Sequence, residues 1–243
     1  MTLINKMSVW ILLAALALAG GLHAKETANS ATTPMQKPGA NFLKLHEAIN
    51  KRIAEGNVDL IFVGDSITAR WDKDGKNVWE KYYAKRHAAN LGIGGDRTQH
   101  VLWRLDHGNV DGIKPKLAVV MIGTNNSKDN TAEEIADGIK AIVEKLEAKL
   151  PGTKILLLAI FPRNEKPGTP QRETNAKASK IASSLADDKK VFYMDIGDKF
   201  LKPDGTLPRD IMPDSLHPNE KGYEIWAEAI EPTVAKLMGE KQP

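Results

Sequence analysis

Beyond residue 41 the apolar positions switch repeatedly between two periods. Phe42, Leu45, Ile49 and Ile53 recur at helical spacing, and the run from Val58 to Val63, apolar but for Asp59, reads as a strand buried on both faces. The alternation then repeats. A helix around Val78, Trp79, Tyr82 and Tyr83 is followed by a short strand from Ala88 to Leu91. Another helix around Val101, Leu102 and Leu105 precedes a third strand from Leu117 to Ile122. The clearest helix carries Ile135, Ile139, Ile142, Val143, Leu146 and Leu150 on one stripe, with a Thr131/Glu134 capping box at its start and Pro151-Gly152 as its stop. Ile155 to Phe161 gives a fourth strand, Ala178, Ile181, Ala182 and Leu185 a helix, and Val191 to Met194 a fifth strand. Ile225, Trp226, Ala229, Ile230 and Leu237 mark a last helix, in which Pro232 predicts a kink or restart. Five apolar strands alternating with helices predict an α/β fold, a single doubly wound (flavodoxin-like) αβα sandwich with a five-stranded parallel sheet.

The N-terminal stretch follows a different pattern. Lys6 precedes an apolar run from Val9 to Ala19, and small residues lead into Leu22-His23-Ala24, the order of a secretory signal peptide. The expected division is a signal peptide at 1–24, a flexible leader at 25–41 with two prolines and no apolar periodicity, and one domain at 42–243. The apolar run falls short of the ~20 residues a spanning helix needs, so no integral membrane span is expected after cleavage. An uncleaved anchor is the alternative reading. The expected location is secreted or periplasmic.

Composition narrows the partners more than the chemistry. With 42% hydrophobic and 27% charged residues, the chain has the make-up of an ordinary globular protein. A net charge of +3, with the signs interspersed, argues against a nucleic-acid surface. The absence of cysteine is compatible with an oxidising compartment and leaves stability to the core. With no cysteine ligand and no H-E-x-x-H, no metal is expected. No oligomeric state is assigned.

In doubly wound folds ligands sit outside the carboxyl ends of the strands, so the residues just after each apolar run carry the chemistry. After the first run comes Gly64-Asp65-Ser66-Ile67-Thr68, after the second Gly92-Ile93-Gly94-Gly95-Asp96, and after the third Gly123-Thr124-Asn125-Asn126. Phe161-Pro162-Arg163 follow the fourth, and a loop beyond the fifth holds Asp214-Ser215-Leu216-His217. A serine, approachable glycine backbone, an amide side chain and an Asp/His pair three residues apart are the components of acyl transfer. Each has a plainer role available: Ser66 as a helix N-cap, the glycines as a tight turn, Asn125 as a turn residue, His217 as a cap for the last helix. The glycine loop fails G-x-G-x-x-G, so a dinucleotide is not expected. The other histidines (His23, His46, His87, His100, His107) have no comparable neighbours in sequence. Trp71, Trp103 and the loop 162–172 are candidates for shaping a pocket, with core packing the competing role for the tryptophans.

Ser66 lacks the second glycine of G-x-S-x-G, which separates the chain from ordinary α/β-hydrolases. The order GDSIT, GIGGD, GTNN and D-x-x-H resembles the four blocks of the GDSL or SGNH hydrolase family. NLGIGGDRTQHVLWRL with GTNN looks especially similar to the catalytic subunits of intracellular platelet-activating-factor acetylhydrolase. The likeness runs from about Leu60 to the final helix. It implies Ser66 as nucleophile, His217 and Asp214 as its triad partners, and an oxyanion hole from the Ser66 and Gly95 N–H groups and the Asn125 amide, with no cofactor. Ile67 stands where the name-giving motif has leucine. The N-terminal pattern departs from the intracellular enzymes and points instead to secreted relatives that deacetylate polysaccharides. A polar rim of Arg70, Asp72, Arg163 and Asn164 favours a short acyl group on a hydrophilic alcohol, so the expected partner is a small-molecule or polysaccharide ester. A lysophospholipase or thioesterase is the alternative enzyme. A non-catalytic carbohydrate-binding relative and a flavodoxin-like cofactor binder are the readings from other classes.

Overall fold

The computed structural model describes residues 29–240, so the signal-peptide reading at 1–24 lies outside the described residues. Five strands, β1 (Leu60–Gly64), β2 (Ala88–Gly92), β3 (Leu117–Met121), β4 (Lys154–Leu158) and β5 (Val191–Met194), form one all-parallel sheet in the order β2-β1-β3-β4-β5. The helices are α1 (Ala40–Ala54), α2 (Ser66–Ala69), α3 (Lys76–Tyr82), α4 (Thr98–Asp106), α5 (Ala132–Lys149), α6 (Pro170–Ala182) and α7 (Glu220–Met238). The doubly wound sandwich expected from the alternation is the fold observed.

Alternate strand residues feed two separate cores, as a period of two requires. Ile61, Val63, Leu91, Ala118, Val120, Ile155 and Leu157 pack with α1, α4, α5 and α6 on one face. Leu60, Phe62, Leu117, Val119, Leu156 and Leu158 pack with α3 and α7 on the other. Every residue of β1 and β3 is buried, so both central strands are covered on both sides. The Thr131/Glu134 capping box opens α5 as expected. The fourth strand stops at Leu158 rather than Phe161. Ala159, Ile160 and Phe161 stay buried in the loop beyond it, and burial alone does not separate a strand from a core loop.

Two other expectations are corrected. The last helix neither breaks nor restarts at Pro232; it is continuous from Glu220 to Met238. Pro232 lies on its exposed side, while Ile230 and Val234 anchor it to the core on either flank. The described part of the leader is not free either. Residues 29–39 carry no helix or strand, but Ala31 is fully buried and its carbonyl accepts from Thr98 Oγ1 at 2.7 Å. The Met35 N–H donates to the Gln99 carbonyl at 3.1 Å, and Asn130 Nδ2 donates to Ser30 Oγ at 2.9 Å. The segment is held by polar groups, which leave no hydrophobic periodicity to read.

Candidate active site

The chain passes from β1 into α2 through a turn that only glycine permits. A Cβ on Gly64 would lie 2.1 Å from Thr68 Oγ1 and 2.5 Å from the Met121 carbonyl. One on Gly92 would lie 2.2 Å from the Ala69 nitrogen. Without these side chains α2 presses directly onto the ends of β1 and β2. Asp65, not Ser66, caps the helix: its Oδ1 accepts from the Ile67 N–H at 2.9 Å. Ser66 is thereby released from the capping role and is the first helical residue. Tyr223 of α7 supports the turn from behind, its hydroxyl donating to the Ile67 carbonyl at 2.6 Å.

The loop before α7 closes on that serine. Ser66 Oγ lies 2.8 Å from His217 Nε2, and His217 Nδ1 lies 2.6 Å from Asp214 Oδ2. The other Asp214 oxygen accepts the backbone N–H groups of Leu216 at 3.1 Å and His217 at 2.8 Å, with Ser215 at a φ of 59° making the tight loop between them. Partial burial works against the Asp214 charge, but the hydrogen bonds from His217 and Leu216 outweigh it and hold this carboxyl below its ordinary range. The Asn164 N–H donates to the Ser215 carbonyl at 2.8 Å, tying the loop after β4 to this one. His217 does not cap α7; Asn219 does, accepting from the Gly222 N–H at 3.1 Å.

The loops after β2 and β3 complete the surroundings. Gly94 approaches so closely that a Cβ on it would lie 4.0 Å from the Ser66 Cβ, and Gly95 follows at a φ of 73°, a conformation suited to glycine. Asn125 Nδ2 donates to the Asp96 carbonyl at 2.9 Å, which fixes the amide against the same loop and leaves its second N–H for another acceptor. Asn126 does the structural work beneath: it accepts from the Thr98 N–H at 3.0 Å and donates to Gln99 Oε1 and Asn130 Oδ1, each at 3.0 Å.

Asp96 is buried and paired with the fully buried Arg104, Nε to Oδ2 at 2.8 Å. Burial pushes its carboxyl up to about 6 even so, with Arg104 and Lys37 opposing the push. Arg163 donates to the Thr124 carbonyl at 2.9 Å, and burial lowers its pKa despite the attraction of Asp65. Arg104, Lys37 and Tyr223 escaped the sequence reading; only the helical register of Arg104 among Val101, Leu102 and Leu105 hinted at a buried position.

The remaining candidates lie elsewhere. Trp71 is fully buried in the α3/α7 core, and Trp103 stacks on His107 with ring centroids 4.0 Å apart. Asp72 lines a groove with Leu45, Arg52 and Trp79 beside β2. His100 Nδ1 accepts from the Arg97 N–H, and burial pushes its pKa down to about 4, so it is held neutral. His87 pairs with Asp59. Among the described residues no cluster of three His, Cys, Asp or Glu side chains could hold a metal ion, and no helix is long and apolar enough to cross a membrane.

Residues 62–225 match the model of the GDSL-like lipase/acylhydrolase family. The chain is 40% identical over 183 residues to platelet-activating factor acetylhydrolase IB subunit alpha2 of Rattus norvegicus, covering 75% of this chain and 78% of the relative. It is 32% identical over 224 residues to the alpha1 subunit of Homo sapiens, covering 91% and 95%. Among solved structures, an acetylxylan esterase from Geobacillus stearothermophilus superposes with a TM-score of 0.59 at 18% identity, covering 76% of this chain and 96% of the other, and shares the fold. The chain is a carboxylic ester hydrolase and belongs to the GDSL-like lipase/acylhydrolase family.

Proposed function

We propose that the chain is an exported serine esterase that removes short acyl groups, acetyl above all, from carbohydrate esters. The observation that carries the catalytic part is the continuous row Ser66 Oγ, His217 Nε2, His217 Nδ1 and Asp214 Oδ2, with contacts of 2.8 Å and 2.6 Å. In this reading Ser66 Oγ attacks the ester carbonyl while His217 Nε2 takes its proton. The N–H groups of Ser66 and Gly95 and the free N–H of Asn125 receive the negative charge that develops on the carbonyl oxygen. His217 returns the proton to the leaving alcohol, and an acyl-serine remains. Water, deprotonated by the same histidine, releases the acid, and Asp214 stabilises the imidazolium in both halves. The chemistry calls on the chain's own side chains and backbone N–H groups and on water.

The acyl preference is supported by what two relatives have in common. One is named an acetylhydrolase and the other an acetylxylan esterase, so both names contain acetyl while the alcohols differ. A sugar alcohol is favoured here by the polar loop after β4, where Arg163 bonds the Thr124 carbonyl and the Asn164 N–H bonds Ser215 of the His217 loop, and by the export pattern of residues 1–24. A lipid alcohol is the second reading, favoured by the 40% identity to the acetylhydrolase subunit.

The test begins with p-nitrophenyl acetate and the Ser66→Ala variant, where activity lost with Ser66 is expected and equal rates would refute the serine mechanism. Acetylated xylo-oligosaccharides are then compared with an acetyl-glycerophospholipid and with octanoyl esters. A kcat/KM highest on the sugar ester supports the proposal; a preference for the phospholipid or for octanoyl overturns its substrate part. Export is tested by recovering the protein outside the cytoplasm with Lys25 at its N-terminus.

A further inference from the structure

We propose that Lys37 is a positioning residue for the oxyanion hole: its ammonium holds the Gly94 carbonyl so that the Gly95 N–H faces the reacting ester. The inference rests on the esterase reading above, which gives that N–H its role.

Lys37 touches the glycine loop at three consecutive residues. Its Nζ donates to the Gly94 carbonyl, lies 3.9 Å from Asp96 Oδ1, and would lie 2.8 Å from a Cβ placed on Gly95. In a trans peptide the C=O and N–H point in opposite directions, so a donor that fixes the Gly94 carbonyl also fixes the Gly95 N–H. This peptide needs such a hold. It lies between two glycines, where backbone freedom is greatest, and a flip of its plane would present an oxygen to the developing oxyanion in place of a donor. A cation on the carbonyl further polarises the peptide and strengthens its N–H as a donor.

Lys37 is itself held in place. Ala31 and Met35, earlier in the same segment, bond Thr98 and Gln99 in the first turn of α4, the helix that starts two residues after Asp96. Segment, loop and helix are thus joined at both ends of the contact. Only 26% of the Lys37 side chain is exposed, so its ammonium is committed to this loop more than to solvent.

The experiment uses the full chain and p-nitrophenyl acetate, with kcat counted per active site from the acyl-enzyme burst so that unfolded protein does not contribute. Lys37→Met is expected to lower kcat about tenfold, less than outright loss of an oxyanion donor, because the N–H is misaligned rather than removed. KM should stay within about twofold, and affinity for a trifluoromethyl-ketone transition-state analogue should fall in step with kcat/KM. Lys37→Arg, which keeps a cationic donor, should recover most of the rate. An unchanged kcat, a loss confined to KM, or equal losses in Lys37→Met and Lys37→Arg would each overturn the proposal. Failure of the esterase reading shows separately, as equal rates for wild type and Ser66→Ala.

Discussion

Asp65→Asn tests the least ordinary charge near the serine. Asp65 is fully buried; Oδ1 accepts the Ile67 N–H, and Oδ2 has no hydrogen-bond partner among the described residues. Burial is the dominant influence and pushes this carboxyl from 3.8 up to about 7, with a smaller push from Asp96 and an opposing pull from the Ile67 N–H. Between those two values the unfolded chain has released the proton while the folded chain retains it, so stability falls as pH rises through this window and levels off above it. Across the interval from 3.8 to about 7, at about 1.4 kcal/mol per pH unit, the loss comes to about 4 kcal/mol. Asparagine keeps an Oδ1 for the cap and never ionises. The variant should therefore match wild type near the lower end of the window and exceed it by about 4 kcal/mol above the upper end. Asp96, pushed up to about 6, titrates in both proteins, so its contribution drops out of the difference apart from its smaller coupling to Asp65. Urea unfolding followed by circular dichroism, repeated across the window, measures the gap. A constant offset between the two proteins at every pH would refute the reasoning.

Three further outcomes are expected. Asn125→Ala should lower kcat by about 10²–10³ on p-nitrophenyl acetate with KM little changed, the effect of losing one oxyanion donor; an unchanged kcat would remove Asn125 from the reaction. Asp214→Asn should lower kcat by about 10⁴, because an amide favours the wrong His217 tautomer at the 2.6 Å contact; steady-state kinetics showing a loss below about tenfold would mean the carboxylate only shapes the loop. Trp226→Ala should cost about 3–5 kcal/mol of unfolding free energy, since this fully buried ring lies against Phe161 and Trp71 with centroids 4.8 Å and 4.9 Å away; calorimetry checks it.

How much of this was legible in the sequence depended on the kind of force involved. The strands were legible because a parallel sheet covered on both faces demands unbroken apolar runs, and β5 was placed at Val191–Met194 without error. The candidate site was legible because Ser66, Gly95 and Asn125 fall just after the first three runs and Asp214 and His217 in the long loop beyond the fifth, in an order that few other chemistries would need. Contacts made by polar groups were not. The docking of residues 29–39 uses carbonyls, hydroxyls and amides, which carry no period. The cap at Asp65 was hidden because Asp65 and Ser66 are both good capping residues and adjacent. Arg104 is a cation whose charge gives no sign of burial, yet it is fully buried because Asp96, Asn109 and the Gly64 carbonyl receive its donors. Pro232 misled in part for the converse reason: local chemistry allowed a kink or a restart, and with packing on both sides the helix does not restart.

The same buried charges bear on why this end of the sheet suits a reaction that creates an anion. Two carboxyls, Asp65 and Asp96, stand behind the serine and the glycine loop, and a bare negative charge there would oppose any oxyanion formed in front of them. Neither is bare. Asp65, at about 7, spends much of its time protonated near neutral pH, and Asp96 is matched by Arg104 at 2.8 Å and Lys37 at 3.9 Å. Arg163 adds a third cation acting on Asp65 from the loop after β4. Around these two carboxyls three cations thus face at most two anions, with the Asp214 carboxylate lying apart from them beside His217, and in a buried setting such a balance acts at greater strength than it would in water. In the proposed mechanism this balance offsets the two carboxyls that would otherwise oppose negative charge at the glycine loop, as catalysis by preorganised dipoles requires.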